Sequence, residues 1–224
     1  MGNTGGREEV IQHTKSTGVL PAIKLDQNED LVPYARALYE GGARVIEVTM
    51  TTPGVLESLQ AISAEFGQKL CVGAGTVLDA ASARTAILAG ARFIVSPATL
   101  PEVIATAQRA GAACYAGAFT ATECLMALQA GADMIKIFPA ALGGPKYMTN
   151  LRMVYPGINL VPSGGITLEN AAEFIRCGAC AVSGSRNFVD REMVRLHGEV
   201  WITERITRFI QIVAEARAQT NLRT

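Results

Sequence analysis

The chain has 224 residues, 49% of them hydrophobic, with 22 glycines and 20 basic side chains against 20 acidic ones. That length fits one domain with a large buried core. The charge balance argues against nucleic acid or an anionic membrane as the main partner and leaves room for a small anionic substrate held by local groups.

No stretch stays apolar for the roughly 18 residues a membrane helix needs, and residues 1–7 are polar and Gly-rich, without a signal-peptide core. The five cysteines are odd in number and scattered through apolar segments. That usage suits reduced, buried thiols and a cytoplasmic location. Cys177 and Cys180 have Cys-x-x-Cys spacing, but no second pair or nearby His completes a metal set, so core packing is the expected role. Neither metal nor cofactor is expected.

In chain order, residues 8–17 read as an N-terminal helix and 19–23 as a strand. Leu31, Ala35, Leu38 and Tyr39 then share a helical face. Residues 45–48 form the second strand, and Leu56, Leu59, Ile62 and Phe66 mark a helix after Pro53. Further strands are expected at 70–74, 93–95, 114–116, 134–138, 159–162 and 181–182. Thr167 is expected to cap a helix running through Phe174 and Ile175. Ile202, Ile206, Phe209, Ile210 and Val213 form an apolar stripe on a C-terminal helix.

A short signature punctuates this series: Gly41-Gly-Ala-Arg44, Ala89-Gly-Ala-Arg92, Ala110-Gly-Ala-Ala113, Ala130-Gly-Ala-Asp133 and Cys177-Gly-Ala-Cys180. Each follows a helical pattern and precedes a β-branched or apolar run, as a left-handed glycine cap between helix and strand requires. Eight such units predict a (β/α)8 TIM barrel spanning residues 1–224 as a single domain, with an extra helix at each end. A doubly wound open sheet is the alternative, although it would usually use fewer strands at this length.

In such a barrel, reactive groups sit at the C-terminal strand ends. Lys136 lies in Met134-Ile-Lys-Ile-Phe-Pro139, where alternation turns Ile135 and Ile137 to the helices and Lys136 to the interior. An interior amine favours its neutral form, the nucleophile a Schiff base requires. The bland reading is a buried structural ion pair, but the polar groups expected nearby favour chemistry. Glu47, in Val45-Ile-Glu-Val-Thr49, also faces inward and is either an acid–base partner or only a counter-ion. Gly73-Ala-Gly-Thr76 is either a close approach for ligand or a tight turn. Ser163-Gly-Gly-Ile166 with Ser183-Gly-Ser185 reads as a phosphate cup after strands seven and eight. Lys24, closing the first strand, could offer a positive charge to a carboxylate. His13 and His197 fall in terminal segments and are expected at the surface.

These segments together resemble the 2-keto-3-deoxy-6-phosphogluconate (KDPG) and 4-hydroxy-2-oxoglutarate (KHG) aldolase family. The matching stretches are Val45-Ile-Glu-Val-Thr49, Val72-Gly-Ala-Gly-Thr-Val77, Val95-Ser-Pro97, Ile135-Lys-Ile-Phe-Pro-Ala140, Gly143-Gly-Pro-Lys-Tyr147 and Pro162-Ser-Gly-Gly-Ile166. The resemblance implies a class I aldolase without metal, commonly a homotrimer. Lys136 matches the Schiff-base lysine and Glu47 the acid–base glutamate. Thr76 matches a residue near the pyruvyl carboxylate, Pro97 and Phe138 residues lining that pocket, and Gly164, Gly165 and Ser185 the phosphate site.

Two departures bear on substrate choice. Thr51 stands where the family often has a carboxylate-binding Arg, closer to the branch acting on the galactonate epimer. The fifth strand ends Tyr115-Ala-Gly117, where Pro-Gly is usual. A phosphate-binding isomerase without a covalent intermediate and a non-catalytic sugar-phosphate binder are the rival readings.

Overall fold

A computed structural model describes residues 4–221; residues 1–3 of the polar opening and residues 222–224 lie outside it. Eight parallel strands, β1 (Val19–Ile23), β2 (Val45–Thr49), β3 (Cys71–Gly75), β4 (Phe93–Val95), β5 (Ala113–Ala118), β6 (Met134–Ile137), β7 (Leu160–Pro162) and β8 (Val182–Gly184), alternate with helices. They pair in the order β7-β6-β5-β4-β3-β2-β1-β8. A bridge from Ser163 to Ser183 joins the two ends, so the sheet closes into the expected (β/α)8 barrel.

The repeated signature works as a local instruction. Gly42, Gly90, Gly111, Gly131 and Gly178 all have φ between 72° and 105°. The next residue in each case donates its N–H five residues back, as in Ala43 to Leu38, Ala91 to Ala86 and Ala179 to Phe174. This is a Schellman ending, which turns the chain out of a helix and aims it at the next strand.

Register decides what faces the interior. Glu47 is paired with Ala22 and Gly73, Phe93 with Ala113, Tyr115 with Met134, Ile135 with Leu160 and Leu20 with Ser183. Followed round through the Ser163–Ser183 bridge, a circuit from Glu47 closes level with position 39, eight residues earlier, which is the shear of a TIM barrel. Inward residues therefore stack in layers drawn from alternate strands. The lowest holds Val45, Phe93, Met134 and Ala181; above it lie Leu20, Gly73, Tyr115 and Val161. The third is Glu47, Val95, Lys136 and Ser183. Ala22, Gly75, Gly117 and Ser163 follow, and Thr49, Pro97, Phe138 and Ser185 stand at the mouth.

The two lower layers form a dry interior cluster, in which Phe93 stacks on Tyr115 with ring centroids 5.3 Å apart. The N-terminal helix Thr4–Thr17 seals it from below with Val10, Ile11 and Thr14. Thr14 donates its hydroxyl to the Val10 carbonyl and so accepts from the Tyr115 hydroxyl at 2.7 Å. Burial pushes that phenol far above its usual pKa, which keeps it neutral. Arg7 grips Asp133 through two nitrogens, and the same carboxylate takes the Cys114 N–H at 2.8 Å. The C-terminal helix Val200–Asn221 covers the outer wall, with Phe209 stacked 4.0 Å from Phe188.

Several expectations shift. The helix after β7 is Ala171–Arg176, with Asn170 rather than Thr167 at its N-cap position. Asn170 Oδ1 takes the Thr167 N–H at 2.8 Å, so the Thr167 segment is held in a turn first. β8 begins at Val182 and reaches Gly184 because Ser183 and Gly184 both pair with β1. Three cysteines are buried, whereas Cys177 and Cys180 are half-buried, and Cys180 Sγ lies 3.2 Å from the Leu160 carbonyl. His13 is half-buried, its Nε2 3.5 Å from Glu9; His197 is exposed.

A Cβ on Gly73 would stand 2.5 Å from three carbons of the Phe93 ring. Gly73→Ala should overpack this plug and cost about 1–3 kcal/mol, measured as a lower urea midpoint with an unchanged slope.

Candidate active site

The third layer carries the charges. Lys136 Nζ, on β6, lies 3.3 Å from Glu47 Oε2 and 3.4 Å from Oε1, on β2 across the barrel. The Glu47 side chain is 1% exposed and that of Lys136 12%, so the amine is the member of the pair that reaches the open end. Glu47 is the single carboxylate within 4 Å of this amine among the described residues. An ion pair this deep offsets its desolvation only through close pairing, and removing either partner strands a buried charge.

Small residues make the room above it. A Cβ on Gly75 would stand 1.7 Å from Glu47 Oε1, so the carboxylate occupies space that only glycine leaves. A Cβ on Gly117 would stand 2.1 Å from the Pro97 carbonyl carbon, so Gly117 lets the Pro97–Ala98 backbone cross close to β5. With Ala22 and Ser163, these glycines form the layer of small residues above Lys136. Pro97 and Phe138 edge it at the mouth, and Phe138 is 44% exposed.

Thr76 follows β3 with φ 57°, the one non-glycine residue with positive φ among those described. Its neighbour Val77 bonds to the Val95 carbonyl, which pins the turn. A left-handed threonine is costly and persists only where the surrounding structure fixes it. On the adjacent loop, Thr49 Oγ1 lies 3.1 Å from Thr51 Oγ1 and 3.2 Å from Thr52 Oγ1. Thr52 Oγ1 also accepts the Leu25 N–H, so this hydroxyl chain ties β2's end to β1's.

The glycine-rich ends of β7 and β8 meet in a cleft of about 170 Å³ lined by Phe138, Ser163, Gly164, Gly165, Ser185 and Asn187, among others. Gly164 and Gly165 have φ of 83° and 85°, a conformation closed to most side chains. No acceptor among the described residues takes the N–H groups of Gly165, Ser185 or Arg186. Several N–H donors converging on one hollow suit an anion. Asn187 Nδ2 donates to the Ile166 carbonyl at 2.6 Å, and Arg205 Nε to the Asn187 carbonyl at 2.8 Å, so the C-terminal helix braces the cup. Nothing local in the sequence marks Asn187 or Arg205 for this work.

Lys24 is exposed and lines a wider cleft, about 570 Å³, with Asp26, Ser185, Arg186 and Arg191. It thus opens on a cleft shared with Ser185 of the cup. Arg186 is 90% exposed and 3.8 Å from Asp190. A further groove of about 520 Å³ near Arg84 and Arg109 lies on the outer wall, away from the strand ends. Among the described residues no three His, Cys, Asp or Glu side chains converge, and no helix is long and apolar enough to cross a membrane.

Known proteins share this architecture. The family described as KDPG and KHG aldolase matches residues 10–204. The 2-dehydro-3-deoxy-phosphogluconate aldolase of Treponema pallidum is 41% identical over 167 residues, covering 74% of this chain and 79% of its own. The 2-dehydro-3-deoxy-6-phosphogalactonate aldolase of Escherichia coli is 36% identical over 157 residues, 70% of this chain and 76% of its own. The structure of KDPG aldolase from Legionella pneumophila, with pyruvate captured as a covalent carbinolamine intermediate, superposes with a TM-score of 0.81 at 30% identity, covering 88% of this chain and 96% of that one. With most of its length matched by the family and relatives of 41% and 36% identity, the chain belongs to the KDPG and KHG aldolase family.

Proposed function

We propose that this aldolase is a class I enzyme that cleaves 2-keto-3-deoxy-6-phosphogluconate to pyruvate and glyceraldehyde 3-phosphate through a Schiff base on Lys136. The observation that carries the reading is an amine inside the barrel, 12% exposed and 3.3 Å from a buried carboxylate. The amine attacks the C2 ketone, and loss of water from the carbinolamine leaves an iminium. The iminium draws in the electrons of the C3–C4 bond as Glu47, directly or through water, removes the C4 hydroxyl proton. The aldehyde leaves; the enamine is protonated at C3 and hydrolysed to pyruvate. A resident carbinolamine in the Legionella relative supports this order of events.

Thr76 is suited to the substrate carboxylate, Pro97 and Phe138 to the walls around the pyruvyl group. The cup of Gly164, Gly165 and Ser185 is suited to the phosphate. Lys24, opening on the same cleft as Ser185, adds a positive charge at that side of the mouth. Cleavage of 4-hydroxy-2-oxoglutarate to pyruvate and glyoxylate uses the same lysine and leaves the cup empty. Thr51, uncharged and bonded to Thr49, favours a second reading in which the galactonate epimer is the substrate. Comparing pyruvate release from the gluconate and galactonate phosphates and from 4-hydroxy-2-oxoglutarate decides among these. The free cysteines fit a reducing, cytoplasmic setting, and family resemblance supports a homotrimer.

Borohydride added with pyruvate should attach a reduced three-carbon adduct to Lys136, read by peptide mass; Lys136→Arg should gain none and lose at least about a thousandfold in kcat. An unmodified Lys136 would overturn the reading. Glu47→Gln should lower kcat by about a hundredfold or more. Gly75→Ala, by displacing the Glu47 carboxylate, should cost about a hundredfold with the substrate KM little changed. Lys24→Met should raise the KM for phosphorylated substrates about tenfold at nearly constant kcat, with a smaller effect on 4-hydroxy-2-oxoglutarate.

A further inference from the structure

Ser183 sits on β8 between Leu20 of β1 and Ser163 of β7. Its neighbour Val182 packs outward against the helices and Ala181 packs inward, so alternation turns Ser183 to the interior. The residue is fully buried, and its Oγ is the one buried side-chain nitrogen or oxygen among the described residues without a hydrogen-bond partner. A buried hydroxyl with no partner is a standing cost that alanine would avoid, and such a group calls for an explanation.

Its place in the barrel supplies one. Ser183 belongs to the same layer as Glu47 and Lys136. Those two stand on opposite strands, β2 and β6, so the remaining members, Val95 on β4 and Ser183 on β8, flank the pair on either side. Val95 offers only carbon. Above this layer, Ala22, Gly75 and Gly117 carry no polar side-chain atom, and Ser163 lies again on the Ser183 side. The hydroxyls around the ion pair are therefore gathered on one side of it.

We propose that the Ser183 hydroxyl is a catalytic group that donates a hydrogen bond to the C2 oxygen of the keto acid while C2 is bonded to Lys136; this rests on reading Lys136 as the Schiff-base lysine. When Nζ attacks, the C–N bond forms and the carbonyl π electrons move to oxygen. Glu47, carrying the proton that the Lys136 ammonium gave up before attack, delivers it to that oxygen, then takes a second proton from the new ammonium nitrogen and delivers that one too. The C2–O bond then breaks with departure of water as the nitrogen lone pair forms the iminium. One carboxylate must serve both atoms in turn, so the oxygen needs a second, fixed donor to stay aligned. Ser183 holds it on the side away from Val95 and ends the cycle with its own proton.

The test follows Schiff-base formation itself. Wild type, Ser183→Ala and the near-isosteric Ser183→Cys are mixed with pyruvate, quenched with borohydride at intervals and mapped by mass, alongside kcat, KM and melting temperature. The expected result is a Lys136 adduct in wild type and, in both variants, adduct formation and kcat slowed about a hundredfold at an unchanged melting temperature. Trapping at the wild-type rate in both variants overturns the proposal and leaves the role of Lys136 standing. Loss of rate that tracks a fall in melting temperature in both variants also overturns it, by showing Ser183 to be structural. Wild type that gains no adduct at Lys136 sinks the underlying reading as well.

Discussion

Two opposite charges set inside a barrel each forfeit several kcal/mol of hydration, and only their mutual approach and a shaped surrounding return it. The pairing of Lys136 and Glu47 at 3.3 Å imposes conditions on every neighbouring layer. Below, the interior must be dry and filled, because a void would admit water to the pair from the wrong end. Phe93, Tyr115 and the N-terminal helix meet that condition. Above, the interior must be empty enough for a substrate. The layer there is built of small residues, Gly75 leaving space for the Glu47 carboxylate and Gly117 for the Pro97–Ala98 backbone.

The barrel thus grades from hydrocarbon at its base, through one charged layer, to a floor of small residues and a polar rim. That gradient gives the amine its direction. Its head meets the carboxylate, and its side chain keeps 12% exposure where that of Glu47 keeps 1%. The helices contribute chiefly from outside. Where they touch the site they do so by bracing loops, as Arg205 does for the Ser185–Asn187 turn.

Much of this is local and so was readable from the chain. The glycine signature dictates helix endings through φ alone, and each strand that follows it was placed within two or three residues. Period-two alternation put Lys136 and Glu47 on inward faces from their immediate strand neighbours. What escaped is non-local. Alternation gives a side chain's face but not its height, and only the inter-strand register put Glu47, Lys136 and Ser183 in one layer. The cleft that Lys24 shares with Ser185 and Arg186 is likewise a matter of tertiary structure. The start of the helix at Ala171 was misjudged because Thr167 and Asn170 both have capping chemistry, and a side-chain bond between them settles which is used.

The join between β7 and β8 is the sparsest in the barrel wall: a lone bridge, Ser163 to Ser183, and the Cys180 N–H on the Leu160 carbonyl. The anion cup straddles this seam, with Gly164 and Gly165 on one lip and Ser185 on the other. A phosphate gripped from both lips acts as a clasp, and its binding free energy is added to the resistance of the seam to opening. A phosphate held there, as proposed, would fasten the barrel wall along the line where its strands share the fewest bonds.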